Sequence, residues 1–277
     1  MGDQTSDSVP QEIAGFVTYA ALEDYATGAD SFAQIFHFEG NNPYDYELLN
    51  FQRWFFLDAY HRTHELEGPL LLLDSDAYLF VAMHEVVEAL TSTMTVVDRV
   101  GPQFTFFTSG DAVSAFTTFL TTSFESTEGF EQLRQFVADS ADAGIPHVSD
   151  MAALGVYARD HGLDDLGLPT REDFLFCENI GSSQGVLMGP LGKKVSTRNG
   201  RRHFTTLAGG PILAGGVHLQ GGNKALWPFF VDKTVRRTLQ RADLHTYSLE
   251  LWSALSKGFG IVLRKASSRL RSFLGRR

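Results

Sequence analysis

Apolar positions in this chain fall into short continuous runs separated by longer stretches at helical spacing. Residues 13–19 read as a strand and 22–36 as a helix with a glycine inside it. Asn41-Asn42-Pro43 marks a turn and a helix start, and helical spacing continues to about His64. The run Leu70-Leu71-Leu72-Leu73 ends in Asp74-Ser75-Asp76, and apolar residues resume through Phe80. Such a run reads as a central strand covered on both faces. A helix over 83–90 and strands at 94–97 and 104–108 follow. Helices are expected over 111–123, 127–143 and 149–161, the last opening on a serine cap. Residues 165–222 are richer in glycine and turns, with short strands at 174–177 and 217–219, and two helices close the chain. The class is α/β, and no internal repeat is present.

Composition narrows the partners more than it changes the fold. At 277 residues, 43% hydrophobic and 20% charged, one α/β domain with a large core is comfortable, and the length also accommodates two small domains. The 23 phenylalanines are enough to line a core and a groove alike. A net charge of −10 argues against general nucleic-acid binding, which needs a basic face. The single cysteine, Cys177, fits a reducing cytoplasm and reads as a small buried hydrophobe. The start of the chain is polar and acidic, unlike a secretory signal. No stretch reaches the length of about 18 apolar residues that spans a bilayer, so a soluble or peripheral protein is expected.

The end of the chain departs from that acidic average. Seven of the 23 basic residues and none of the 33 acidic ones lie from Lys257 on, so the preceding part carries −17. Phe259, Val262, Ala266, Leu270 and Phe273 follow helical spacing among these charges. A basic amphipathic helix of this kind can lie on anionic lipid. Residues 257–277 are therefore expected to contact the inner face of the cytoplasmic membrane. A solvated tail or a helix docked on the acidic body would read the same way.

Two motifs carry chemistry. Asp74 and Asp76 stand at the carboxyl end of the apolar run, where open α/β sheets bind ligands. Paired carboxylates there repel unless a cation lies between them, which points to a divalent metal; solvated aspartates in a turn are the plainer reading. Asp-x-Asp occurs once in the chain. The second motif, His218-Leu219-Gln220-Gly221-Gly222-Asn223-Lys224, offers an imidazole ligand, glycines that permit close backbone approach, and a lysine for phosphate oxygens. A glycine-rich turn with a surface lysine is its plainer reading.

Together with the stretch around Arg53 (Phe51-Gln52-Arg53-Trp54-Phe55-Phe56-Leu57), these motifs resemble the metal-dependent glycosyltransferases of the GT-A fold, closest to the family 8 type and related bacterial transferases. The resemblance spans roughly residues 40–230. It implies a Rossmann-like mixed sheet flanked by helices over 1–235, with a helical region and basic tail over 236–277. It also implies Mn²⁺ or Mg²⁺ held by Asp74, Asp76 and His218 on the diphosphate of a nucleotide-sugar. Arg53, Asp74, Ser75, Asp76, Gly221 and Lys224 would face the donor, with Lys224 neutralising the leaving diphosphate. Family patterns place Pro-Trp after the lysine, where this chain has Ala225-Leu226-Trp227-Pro228. Few residues precede Asp74 for this family, and Met1–Gln4 resembles the stretch after its first strand, so that strand is expected upstream of Met1. The acceptor would be a glycan or a lipid-linked saccharide. Asp150, in His147-Val148-Ser149-Asp150-Met151, is the acceptor-side catalytic candidate, with Glu178-Asn179 behind it; a helix cap is the plainer role for Asp150. The closest resemblance would imply retention of anomeric configuration. Two alternatives stand beside the transferase. One is a GT-A-like protein that binds carbohydrate or nucleotide without turnover. The other is a haloacid-dehalogenase-type phosphatase with Asp74 as nucleophile, which leaves His218–Lys224 unexplained.

Overall fold

The computed structural model describes residues 20–40, 42–140, 145–167, 174–189 and 192–220. The expected strand at 13–19, together with Gly221, Lys224, the 235/236 boundary and the basic tail, lies outside these residues. The chain is mixed α/β, with helices and small, mostly antiparallel sheets. It divides into two compact units: a helical one formed by 20–74 and 81–171, and a sheet unit whose described parts are 75–80 and 174–220.

Six helices organise the helical unit: α1 (Ala26–Ile35), α2 (Tyr44–Thr63), α3 (Met83–Glu88), α4 (Gly110–Glu125), α5 (Thr127–Asp139) and α6 (Asp150–His161). Their limits follow from local chemistry. Pro43 stands directly before α2, which carries Asp45 and Glu47 in its first turn and His61 and Arg62 in its last, matching the helix dipole at both ends. Ser126 ends α4 and accepts a hydrogen bond from Gly129 N, so one residue stops one helix and caps the next. Ser149 caps α6 by accepting from Ala152 N, and Gly162, at φ +63°, closes it. The phenylalanine-rich composition is explained here: Phe32, Phe51, Trp54, Phe116 and Phe124 are fully buried in one cluster. Ring pairs such as Phe32–Phe55 (4.8 Å) and Trp54–Phe116 (4.9 Å) lie at favourable separations.

Two short ladders complete this unit. Strand β1 (Leu70–Leu73) pairs antiparallel with β4 (Phe104–Phe107), from Leu70 opposite Phe107 to Leu73 opposite Phe104. Burial differs from the expectation for the leucine run. Leu70 to Leu72 are half-buried and Leu73 is 41% exposed, while all four β4 residues are buried. A continuous apolar run does not reveal which of two paired strands lies deeper, and here the aromatic side chains of β4 take the interior. Strands β3 (Thr95–Val96) and β5 (Asp164–Asp165) pair in parallel.

The sheet unit contains β2 (Ala77–Leu79), β6 (Phe174–Cys177), β7 (Met188–Gly189), β8 (Gly192–Lys193), β9 (Val195–Arg198), β10 (Arg201–Thr205) and β11 (Pro211–His218). Strand β11 is its axis, pairing antiparallel with β10 and β2 and parallel with β6. Asn199 and Gly200, both at positive φ, make the tight turn between β9 and β10. At Gly215, where the β6 register shifts, a side chain would meet the Phe176 ring at 2.3 Å. Glycine there lets the two strands approach. Leu175, Val186, Phe204, Val217 and Leu219 form the core of this unit.

Candidate metal centre

Within the sheet unit, the β2–β11 register sets His218 opposite Ala77, and Leu219 N donates to the Asp76 carbonyl at 3.0 Å. Backbone pairing thereby brings Asp76 beside His218, with Asp76 Oδ1 at 3.1 Å from Nε2 of the ring. The other ring nitrogen, Nδ1, lies 2.7 Å from the Glu178 carbonyl oxygen. A carbonyl only accepts, so Nδ1 carries a proton and the ring presents Nε2 to the Asp76 carboxylate. A proton on Nε2, or a cation held by both atoms, satisfies a contact of this length. Adjacent ligands about 2.1 Å from an octahedral ion stand about 3 Å apart, which suits the observed separation. A carboxylate beside an imidazole is a donor set that divalent first-row ions accept.

The partner loop is itself anchored. Lys193 is buried, and its Nζ donates to the Asn179 carbonyl at 2.5 Å and to Ser182 Oγ at 3.2 Å. Asn179 also accepts from Gly181 N and donates to Gln220. Of the Glu178-Asn179 pair, an acceptor-side candidate from sequence, Glu178 offers its carbonyl to the histidine and Asn179 ties down the loop. Burial, with the Asp76 charge added, raises the pKa of the Tyr78 hydroxyl on β2.

Within the helical unit, Arg53 on α2 bridges two carboxylates. Its guanidinium donates to Asp74 Oδ1 at 2.8 Å and to Asp150 Oδ2, on the first turn of α6, at 2.6 Å. Burial opposes the arginine's charge, but Asp150 and Asp74 outweigh it and hold its pKa up. The Asp150 carboxyl is pushed above its ordinary range by burial, Arg53 pulls it back, and the Asp74 and Glu47 charges add to the rise. Asp150 is not the cap of α6; that role belongs to Ser149. Glu47 is buried as well, accepting from Asn42 and, at 2.9 Å, pairing with His147 Nε2. Asp74 closes the first segment of this unit, and Ser75, exposed in a turn, alone separates it along the chain from Asp76.

Of the residues singled out from sequence, Asp76 with His218, and Arg53 with Asp74 and Asp150, are brought together. Lys193 and the Glu47–His147 pair were not foreseen. Lys193 sits in a two-residue strand with no periodic signal, and a buried glutamate in the first turn of a helix reads as a solvated dipole partner until its histidine is known. Compared with family models, with curated proteins and with solved structures, the chain matches none.

Proposed function

We propose that this chain is a divalent-metal-dependent glycosyltransferase of GT-A type, moving a sugar from a nucleotide-sugar to a hydroxyl of a glycan or lipid-linked saccharide. The observation that carries the reading is the Asp76–His218 pair, with Nδ1 of the ring tied to a backbone carbonyl and Nε2 turned to the carboxylate. Asp74, one residue from Asp76 along the chain, is the third ligand. The ion would supply Lewis-acid stabilisation of charge developing on the departing diphosphate. Arg53 orients Asp74 by donating to its carboxylate. Gly221 and Lys224 are assigned to the donor phosphates, Ser75 to the donor beside the two aspartates, and Asp150 to the acceptor side. Residues 257–277 are assigned to an anionic membrane surface; among the described residues no helix is long and apolar enough to cross a membrane.

The test is thermal stabilisation by a panel of nucleoside diphosphates with and without Mn²⁺, since a ligand that binds only the folded state raises its melting temperature. One nucleotide should stabilise the chain only with Mn²⁺ present, and Asp76→Ala should abolish that shift. A nucleotide shift that is indifferent to Mn²⁺ and to Asp76→Ala would remove the metal from the reading. Metal-dependent binding without sugar transfer would favour a binding protein that has lost turnover.

A further inference from the structure

A groove of about 760 Å³ runs across the helical unit, away from Arg53, with walls from α1 and α4 and a floor from α2. Three of its hydroxyl groups share one orientation. Ser31 Oγ donates to the Thr27 carbonyl at 2.9 Å, Thr118 to Ser114 at 2.8 Å, and Thr121 to Thr117 at 3.0 Å. Each hydroxyl turns its proton into its own helix and leaves its lone pairs to the groove. The charged groups add acceptors: Glu125 on the wall, and on the floor Asp58, which is buried and already receives Ser114, Thr117 and Arg62. A ligand suited to these walls brings hydrogen-bond donors. The Asp58–Arg62 ion pair is neutral as a unit and Glu125 adds one negative charge, which disfavours an anion and is too little to select a polycation.

The floor gives an independent sign that the space is kept open. Gly28 lies in the first turn of α1, where glycine is a poorer helix former than alanine. No crowding demands it, because a Cβ there would meet Phe55 at 3.5 Å, an ordinary contact. A side chain would instead cover Phe55 and fill the groove. Phe32 and Phe55 stack 4.8 Å apart beneath it, so an apolar base lies under acceptor walls.

We infer that this groove binds a neutral saccharide, whose hydroxyls donate to Thr118, Thr121 and Glu125. The site goes beyond the transferase reading and needs neither metal nor nucleotide, so each can fail alone. The experiment is ligand-observed NMR of the full chain with a panel of neutral disaccharides, in the absence of metal and nucleotide. At least one disaccharide should bind. Gly28→Leu should abolish that binding while preserving or raising the melting temperature, because leucine is the better helix former. Thr118→Val/Thr121→Val keeps the shape of the wall, removes two acceptors, and should weaken binding about tenfold or more. If no disaccharide binds, or if binding survives Gly28→Leu unchanged, the inference is overturned. Displacement of a bound saccharide by spermidine but by no second saccharide would overturn it as well, by identifying the site as cationic.

Discussion

The two units hold charged side chains by different means. In the sheet unit, Asp76 and His218 are positioned by backbone: the β2–β11 ladder sets them side by side, and the Glu178 carbonyl fixes the ring. In the helical unit, Arg53, Asp74 and Asp150 come from α2, the end of β1 and the start of α6, and hold one another by side-chain ion pairs. A ladder fixes where a group stands through its backbone, so the side-chain spacing of Asp76 and His218 follows from strand register. A buried ion pair satisfies its own members and makes each costly to remove. The first arrangement is therefore sensitive to strand register and the second to the loss of any one charge.

The largest effect expected from breaking that contrast is in the helical unit. Arg53→Met would leave Asp150, only 5% exposed, without its cation, a change that typically costs about 3–5 kcal/mol. The loss should depend on pH in a definite sense. Burial already holds the Asp150 carboxyl above its ordinary range with Arg53 present, and without the arginine it rises further. A carboxyl raised in the folded state favours folding below its unfolded pKa, and that contribution is lost as pH rises through the folded value. The deficit of Arg53→Met relative to wild type should therefore be greatest near pH 7 and shrink toward pH 4. Urea melts across that range check it; a deficit that stays constant with pH would show that Asp150 is not the group left stranded.

A matched pair of glycines sharpens the comparison at lower cost. A Cβ at Gly155 in α6 would meet the Phe136 ring at 2.3 Å, and one at Gly215 in β11 would meet the Phe176 ring at the same distance. Each alanine variant should lose about 1–3 kcal/mol through overpacking. Only Gly215→Ala displaces the strand that carries His218, so it alone should also reduce the Mn²⁺-dependent nucleotide shift. Equal reductions in both variants would mean that the metal response follows global stability rather than the ladder.

The helical unit was also the more legible of the two. Asn42-Pro43 and Ser149 place the starts of α2 and α6 within a residue or two, because capping chemistry is local. The sheet unit depends on pairing, which is not local. β11 was expected at 217–219 but begins at Pro211, because Gly215-Gly216 reads as a break while in the fold it is where β6 comes closest. β9 and β10 were missed although Asn199-Gly200 is a hairpin turn, since the flanking Val195-Ser196-Thr197-Arg198 and Arg201-Arg202-His203 carry little apolar alternation. The site divides in the same way. Asp74, Asp76, His218 and Arg53 were each visible as residue types in a motif, whereas the Arg53–Asp150 bridge and the Glu178 carbonyl come only from tertiary pairing.

The smallest effects separate distance from burial as the measure of what a polar contact contributes. Ser126 caps α5 with the shorter bond, 3.0 Å to Gly129 N, in an exposed setting, whereas Ser149 caps α6 with a bond of 3.4 Å inside the unit. Distance alone would make Ser126 the more valuable cap. Burial argues the reverse, because an alanine at 126 leaves Gly129 N to water, while one at 149 strands Ala152 N, where an unsatisfied donor costs more. Ser149→Ala is therefore expected to lower stability by about 1 kcal/mol and Ser126→Ala by about half as much, with threonine largely restoring either cap. Urea midpoints of the four variants read this directly. A larger loss at Ser126 would mean that water reaches the start of α6, and Asp150 would then be better screened than its burial implies.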